Sequence, residues 1–352
     1  MPAELSFSAR DLAQVRFAVS PMWEVGPSLR LLASGHAHPV HRAWAGQVRP
    51  RIARAGLDIG TLRELVPPTG YVPDFLNPAP AGAAPTLDEE LTAIAATPAP
   101  RLRTELDRLA GEQGGHGGHG GHGAGTGIGT GGREGREGHR ALGPRSRALY
   151  ADPAAGLARL TGEIAAYWEL ALAPYWARLR AVLEADVLHR ARQAAEYGTG
   201  RLFGGLHPSM SWGGDALRLA LRRRALPRGA AGAGLVLIPS CFAGPGPYTR
   251  VSPPDPPQLA YPARGTGELW RPRPASAAGP LSAVLGRSRA LLLTELDAPA
   301  STTELAARTG LSRPAVSQYL TALRDARLVS AHRAGRWVLY ARTALAEALL
   351  AE

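Results

Sequence analysis

The feature that most constrains the fold is the stretch of residues 301–342, which reads STTELAARTGLSRPAVSQYLTALRDARLVSAHRAGRWVLYAR. Ser301 or Thr302 can cap a helix, and Glu304 stands where the second half of a capping box is expected. Gly310 follows the apolar positions of this helix and can take the left-handed conformation that ends a helix. The first part of the stretch therefore predicts one short helix with a defined start and end.

A second helix is predicted directly after this turn. Ser312 can cap it, and Pro314 lies in its first turn, where the missing N–H of proline costs little. Val316, Leu320 and Leu323 recur at i, i+4 and i+7 and form one buried stripe. The polar residues that face elsewhere are Ser312, Arg313, Ser317, Gln318 and Thr321. Two short helices joined by a glycine-containing turn make a helix-turn-helix, in which such polar residues can hydrogen-bond to base edges.

A two-stranded hairpin is predicted after the second helix. Leu328 and Val329 open its first strand, and residues 337–340 return as its second. Residues 333–336 form the tight turn between them, with glycine at the tip. The basic residues between Asp325 and Glu347 are Arg327, Arg333, Arg336 and Arg342, and no acidic residue lies there. A hairpin this basic suits contact with phosphates or the minor groove, and a solvated charged hairpin is the alternative.

These motifs carry a family resemblance. Residues 281–352 resemble the ArsR/SmtB winged-helix repressors, on TELAARTGLSRPAVSQYLTALRDARLV followed by a wing that reads RAGRWVLY. The whole chain further resembles long-form ArsR-like regulators of actinobacteria, on LSFSARDLAQVRFAVSPMWEV and GLVLIPSCF. Those regulators carry a large N-terminal domain of unknown function. The resemblance implies a repressor that acts as a homodimer, joined by helices at about 281–295 and 343–352.

The interface expected with double-stranded DNA consists of Ser312, Arg313, Ser317, Gln318, Thr321, Arg333 and Arg336. Ser317 and Gln318 are expected at base edges, while Arg313 serves a base or a phosphate. Arg333 and Arg336 are expected on the phosphate backbone or in the minor groove. Two other function classes stay open: a winged helix that binds protein, and an enzyme-like N-terminal domain with an appended regulatory head. The chain has no P-loop and no nucleophile elbow, which disfavours the enzyme.

The remaining sequence predicts a mainly α protein. Residues 1–110 and 144–262 are expected to form a mostly helical N-terminal regulatory or effector domain with a few short strands, among them 235–239 and 258–261. Residues 111–143 are rich in Gly and His and are expected to be a disordered insert. Residues 263–280 have linker composition, and residues 281–352 form the winged helix-turn-helix. An unidentified small-molecule effector is the partner expected for the N-terminal domain.

Metal and cofactor sites are not predicted. Metal-sensing relatives carry a cysteine pair near the start of the reading helix, or carboxylate and histidine ligands on the last helix, and this chain has neither pattern. His116, His119, His122 and His139 could form a soft metal-binding tract, but flexible glycine holds no ligand geometry, so a disordered insert is favoured. The G-x-G-x-x-G pattern at 127–132 follows no strand and is discarded as a dinucleotide site.

The overall composition is compatible with nucleic-acid binding but does not by itself indicate it. The formal net charge is +11, and all 40 basic residues are arginines, which suits phosphate and guanine but also follows from GC-rich coding DNA. Cys241 is the single cysteine and is expected to be a small core residue rather than a redox sensor. The tryptophans are expected in the core, although aromatic residues could line an effector cavity. The first residues lack the apolar run of a signal peptide, and the longest uninterrupted apolar run, near 235–238, is far too short to cross a bilayer. The cytoplasm is therefore the expected compartment.

Overall fold

The structure is a computed structural model that describes residues 3–34, 38–115, 142–213, 216–219, 234–253, 255–271, 278–334 and 337–351. The chain divides into two compact units. The first comprises Met1–His36, Asp58–Ala165 and Gln193–Pro262, and the second comprises Ala37–Leu57, Ala166–Arg192 and Ala263–Glu352. Within the described ranges, no helix is both long enough and apolar enough to cross a bilayer.

The helices and strands follow one another along both units. The helices are α1 (Ala9–Ala13), α2 (Met22–Ala33), α3 (Arg42–Ala55), α4 (Gly60–Leu65), α5 (Leu87–Ala95), α6 (Ala99–Gly115), α7 (Pro144–Ala151), α8 (Pro153–Ala171), α9 (Trp176–Leu206, interrupted at Gly198), α10 (Ala278–Leu285), α11 (Arg287–Glu295), α12 (Thr302–Thr309), α13 (Arg313–Asp325) and α14 (Ala344–Ala351). The strands are β1 (Ala3–Ser6), β2 (Val15–Phe17), β3 (Met210–Trp212), β4 (Ala216–Leu219), β5 (Leu235–Ser240), β6 (Tyr248–Arg250), β7 (Gln258–Pro262), β8 (Val329–Ala334) and β9 (Trp337–Arg342).

The first unit is built on two sheets. The larger has the order β2-β5-β7-β6, in which β5 pairs in parallel with both β2 and β7, and β6 pairs antiparallel with β7. The smaller is antiparallel with the order β1-β4-β3. Strand β5 is buried along its whole length, which explains why its sequence is continuously apolar instead of alternating.

Apolar clusters cover both faces of the larger sheet. Leu235 and Leu237 of β5 pack in one cluster with Phe203 near the end of α9. Val236 and Ile238, which point to the opposite face, pack in another cluster with Trp23 of α2. Because successive strand residues alternate between faces, the run Leu235–Ile238 supplies both clusters at once.

Two buried glutamates tie loops of the first unit to its backbone. The Glu24 carboxylate accepts hydrogen bonds from the N–H groups of Cys241 (2.8 Å) and Phe242 (3.2 Å), and burial raises the pKa of Glu24 to about 8. The Glu90 carboxylate accepts the Ser20 hydroxyl and the N–H of Met22 (2.9 Å). Burial raises the pKa of Glu90 to about 7, against the opposing effect of these two donors. Both groups therefore resist ionisation while the unit is folded.

The second unit contains the winged helix. Its core packs α11, α12, α13, the start of β8 and α14 around Leu293, Leu305, Val316 and Leu320. Strands β8 and β9 pair antiparallel, and Tyr340 of β9, whose partner in β8 is Ala331, also forms an isolated antiparallel bridge with Ala300. The winged helix-turn-helix with a two-stranded wing is confirmed.

Two earlier segments of the chain, 37–57 and 166–192, belong to this same unit. The buried Trp44 indole donates to the carbonyl of Ala171 (2.8 Å). Arg51 donates to the Tyr175 hydroxyl (3.0 Å) and to the carbonyl of Pro299 (2.5 Å), which precedes α12. The winged helix is therefore packed against chain that lies far from it in sequence.

An ion network, of which Arg342 is buried and the other members are half-buried, continues this packing. The Arg178 guanidinium pairs with Asp297 and with Glu347 (3.0 Å). Burial lowers the pKa of Arg178, but the two carboxylates outweigh it and raise that pKa. Arg342, at the end of the wing, lies 3.7 Å from Asp297 and 3.8 Å from Glu347 and donates to the carbonyls of Leu293 and Thr294. Each charge in the network thus has an opposite charge beside it.

The element boundaries differ from those expected in several places. Helix α6 continues through residues 111–115, whereas residues 116–141 lie outside the described part, so the predicted disorder there stays a prediction. Residues 263–271 do not form an open linker: they include the 3-10 turn Thr266–Glu268, and the Trp270 indole donates to Nδ1 of His41 (2.9 Å). Helix α10 begins at Ala278 instead of 281. The proline content of residues 263–280 suggested the linker, but proline is also accepted in the first turn of a helix.

The buried Glu90 carboxyl predicts a pH-dependent stability. Its pKa is about 7 when folded and 4.5 when unfolded, so its contribution is fully present below pH 4.5 and is lost as the pH rises through 7. In Glu90→Gln the amide can keep both contacts, because the Ser20 hydroxyl can accept as well as donate. Between pH 4.5 and 7 the wild-type free energy of unfolding should fall relative to this variant, by up to about 1.4 kcal/mol per pH unit.

Chemical denaturation at several pH values measures this difference. Glu89→Gln, on the exposed neighbouring residue, is the control and should leave the fall between pH 5 and 7 in place. Parallel pH profiles for wild type and Glu90→Gln would contradict the assignment.

The end of α13 predicts a stabilising substitution. Arg327 has φ +58°, and the N–H groups of Arg327 and Leu328 donate back to the carbonyls of Arg324 (2.8 Å) and Leu323 (2.9 Å). Glycine is the residue preferred at this position of a Schellman motif, since a side chain is strained there. Arg327→Gly should therefore raise the free energy of unfolding by about 0.5–1 kcal/mol. Thermal denaturation measures it, and Arg324→Gly, inside the helix, should instead destabilise.

Candidate nucleic-acid interface

Helix α12 begins and ends as the sequence predicted. The Ser301 hydroxyl accepts the N–H of Glu304 (3.3 Å), and the Glu304 carboxylate accepts the N–H of Ser301 (2.7 Å), which completes a capping box. Gly310 ends the helix with φ +72°. Burial raises the pKa of Glu304, but hydrogen bonds from Ser301 and the charges of Arg51 and Arg308 outweigh it, so the pKa lies below its ordinary value. Glu304 is therefore held as a carboxylate.

Helix α13 follows after a short turn. The Ser312 hydroxyl accepts the N–H of Ala315 (3.4 Å), and Pro314 occupies the first turn. Val316, Leu320 and Leu323 are buried with at most 1% of their surface exposed, and they share a cluster with Leu305, Ala306 and Leu292. The predicted aliphatic stripe is confirmed, and it holds α13 against α12.

The opposite face of α13 carries the predicted contact residues. Arg313, Ser317, Gln318 and Thr321 are all exposed, as is the capping residue Ser312. Arg313, Ser317 and Thr321 follow one another at i, i+4 and i+8, so they form one row, with Gln318 beside it. The Thr321 hydroxyl donates to the carbonyl of Ser317 (3.0 Å). Thr321 therefore offers a methyl group and a lone pair to a ligand, whereas Gln318 offers both a donor and an acceptor.

The wing arginines do not share one environment. Arg333 of β8 is exposed. Arg336 lies outside the described residues, so its placement in the wing stays a prediction. Arg342 is only 6% exposed and is engaged by backbone carbonyls and carboxylates, so it cannot serve a nucleic acid. A count of basic residues in this hairpin therefore overstates the charge that is offered to solvent.

Further exposed cations lie near the end of α13. Arg324 and Arg327 are exposed; Arg324 lies 3.7 Å from Asp325, and both partners of that pair are largely solvated. Solvated pairs of this kind bind weakly and exchange readily with another anion. Sequence reasoning did not include these two arginines in the interface. The signal was present in the absence of acidic residues after Asp325, but it did not distinguish exposed arginines from the buried Arg342.

The other candidate sites of the sequence do not gather in one place. His116, His119, His122 and His139 and the glycine pattern at 127–132 lie outside the described residues. Cys241 is buried at the end of β5, where its N–H donates to Glu24. In the part of the chain that is described, no group of three or more His, Cys, Asp or Glu side chains is arranged to hold a metal ion. Trp23, Trp44 and Trp168 are buried, and Trp176 and Trp212 are half-buried.

Comparison with known proteins gives one match. The comparisons with curated proteins and with solved structures found nothing that matches the chain. Residues 287–331, which run from the start of α11 into β8, match the family model described as bacterial regulatory protein, arsR family. The matched segment contains α12, the turn and α13 complete, and its family is regulatory. The match supports a DNA-binding transcription regulator whose helix-turn-helix is of the ArsR type.

Proposed function

We propose that this protein is a sequence-specific transcription regulator, and a repressor, that inserts α13 into the major groove of double-stranded DNA. One observation carries the proposal: the polar side of α13 is exposed while its aliphatic side is buried against α12. A helix fixed in this way is a rigid rod that presents hydrogen-bonding side chains on one side, as a reading helix must. Repression follows from the resemblance to the ArsR/SmtB repressors.

Base recognition is assigned to the start and middle of the exposed row. Gln318 can form two hydrogen bonds with one adenine, and Ser317 can donate to or accept from either kind of base. Arg313, in the first turn, reaches a guanine or a phosphate. Each of these three side chains is exposed, so each can be reached by DNA without prior rearrangement of the buried core.

Phosphate contact is assigned to exposed arginines on either side of α13. Arg333 lies on the wing, and Arg327 lies where α13 ends. Arg336 is included on the sequence alone. Contacts of this kind fix the register of the protein on the duplex but carry no base information. The strained backbone of Arg327 fits this role, because strain is kept at positions where the side chain is needed.

The interface of a homodimer is assigned to the first and last helices of the winged helix. Val284 of α10 is 82% exposed and Leu291 of α11 is 37% exposed; Leu345 and Leu349, which share one face of α14, are 53% and 41% exposed. These large apolar side chains lie on the segments through which the family resemblance implies that two copies join. A dimer would read two half-sites about 10 base pairs apart.

The reading and phosphate roles predict different effects on DNA affinity. A site is first selected from random-sequence DNA with the full-length protein, and affinity is then followed by fluorescence anisotropy over a range of salt concentrations. Gln318→Ala should lose about 1–3 kcal/mol of discrimination between the selected site and single-base variants. Arg333→Ala should weaken all sequences alike and reduce the salt slope by about 1.

Arg63→Ala, at an exposed arginine of the first unit, is the matched control and should change neither quantity. If Gln318→Ala retained full discrimination, the reading role of α13 would be wrong. If the full-length protein selected no sequence and bound DNA no better than the quadruple variant lacking Arg313, Gln318, Arg327 and Arg333, DNA binding itself would be refuted in favour of a protein-interaction module.

The exposed leucines of α14 predict the oligomeric state. Leu345→Glu combined with Leu349→Glu should convert a dimer into a monomer in sedimentation equilibrium, since two carboxylates cannot be buried at an apolar contact without a large penalty. Leu188→Glu, at an apolar residue of α9 that is also 53% exposed, is the control and should leave the dimer intact. An unchanged dimer in the double variant would remove α14 from the interface.

A further inference from the structure

A pocket of about 230 Å³ lies within the second unit. One wall comes from α3, with Arg51, Arg54 and Ala55, and another from Leu170 in α8. The remaining walls belong to the winged helix: Ser301, Thr303 and Glu304 at the start of α12, and Leu339 in β9. The pocket is thus lined both by α12, which supports the reading helix α13, and by the wing strand β9.

The lining has a distinct chemistry. Leu170 and Leu339, of which 1% and 4% are exposed, are the large apolar side chains of the lining, and Ala55 is a small one. Two arginines face one glutamate, so the lining carries a formal excess of one positive charge. A cavity of about 150 Å³ accepts a benzene molecule. A pocket of 230 Å³ therefore has room for one ring or a short hydrocarbon chain and a small polar group.

The charges of the pocket are not equally available. Glu304 is engaged by the N–H (2.7 Å) and the hydroxyl (2.9 Å) of Ser301. Arg51 is engaged by Tyr175 and by the carbonyl of Pro299. Arg54 is exposed, and among the described residues none forms an ion pair or hydrogen bond with it. The Arg54 guanidinium is therefore the one available to a ligand, and the ligand group that pairs with it is an anion.

We propose that this pocket is an effector site for a small carboxylic acid with an apolar body, whose carboxylate pairs with Arg54 while its hydrocarbon part lies against Leu170 and Leu339. The regulatory half of this inference rests on the proposed DNA-binding function, while the binding half does not.

The geometry also gives the route by which such a ligand acts on DNA binding. Ser301 and Glu304 line the pocket, and the next residue, Leu305, packs in the cluster that holds the stripe of α13. Ala300, on the other side of Ser301, exchanges two backbone hydrogen bonds with Tyr340 of the wing (2.9 and 3.0 Å). A ligand that shifts the first turn of α12 therefore shifts the support of the reading helix and the wing together.

The test uses three probes of one shape and different charge: phenylacetate, phenylacetamide and phenethylamine. Binding to the full-length protein is measured by calorimetry without DNA. Phenylacetate should bind at least about tenfold more tightly than phenylacetamide, and phenethylamine more weakly than either. Arg54→Gln should abolish the preference for the anion and leave the affinity for phenylacetamide unchanged. Arg42→Gln, at an exposed arginine of the same helix outside the pocket, should behave as wild type.

Any of three results would overturn the site: equal binding of the three probes, no binding of any probe, or the same behaviour of Arg54→Gln and Arg42→Gln. The coupling is then measured on the selected DNA, where saturating phenylacetate should change the affinity by at least about fivefold in wild type and not in Arg54→Gln. Phenylacetate binding without any change in DNA affinity would overturn the regulatory role alone. If the protein bound phenylacetate in a way that depends on Arg54 but selected no DNA sequence, the proposed DNA-binding function would be refuted. The ligand site itself would still be supported.

Discussion

Burial of Val316, Leu320 and Leu323 against Leu305 fixes how α13 is turned about its own axis. Among the side chains between these positions, Tyr319 packs partly against the same cluster, while Ser317, Gln318 and Thr321 are left on the solvent side. Truncating one leucine of such a stripe costs about 2–5 kcal/mol, whereas a substitution on an exposed face usually changes stability by less than about 0.5 kcal/mol. The exposed face can therefore be substituted while the fold is kept, and this separation is what the proposed reading role of α13 requires.

Arg342, unlike the exposed arginines of α13, has a structural role inside the protein. Its guanidinium donates to the last carbonyls of α11, at Leu293 and Thr294, and its charge is balanced by Asp297 and Glu347. One side chain thus joins the base of the wing, the end of α11 and the start of α14. Removing a carboxylate from this network would leave the buried Arg342 with less balancing charge, and an uncompensated buried charge is strongly destabilising. We read the network as a device that fixes the angle of the wing.

Sequence reasoning succeeded where the information is local. The capping box at Ser301, the left-handed Gly310 and the stripe of α13 each depend on residues within a few positions, and all three are found as expected. It failed where pairing is distant. Arg178 meets Asp297 across 119 positions, and Arg51 meets Pro299 across 248, so no spacing rule could have assigned 37–57 and 166–192 to the unit of the winged helix. Short strands such as β2 and β6, of three residues each, were missed because alternation needs about four residues to be visible.

The same distant segments also pack around the start of α12. Leu170 in α8 and residues of α3 line the pocket beside that start, and Arg51 of α3 donates to the carbonyl of Pro299 just before it. The first N–H groups of any helix lack partners in the backbone of that helix, and at the start of α12 the capping box of Ser301 and Glu304 supplies such partners through side chains. The capped first turn of α12 therefore forms part of the wall of the pocket. The proposed ligand would act on this turn by direct contact, without any need for charge to act over the distance to the DNA.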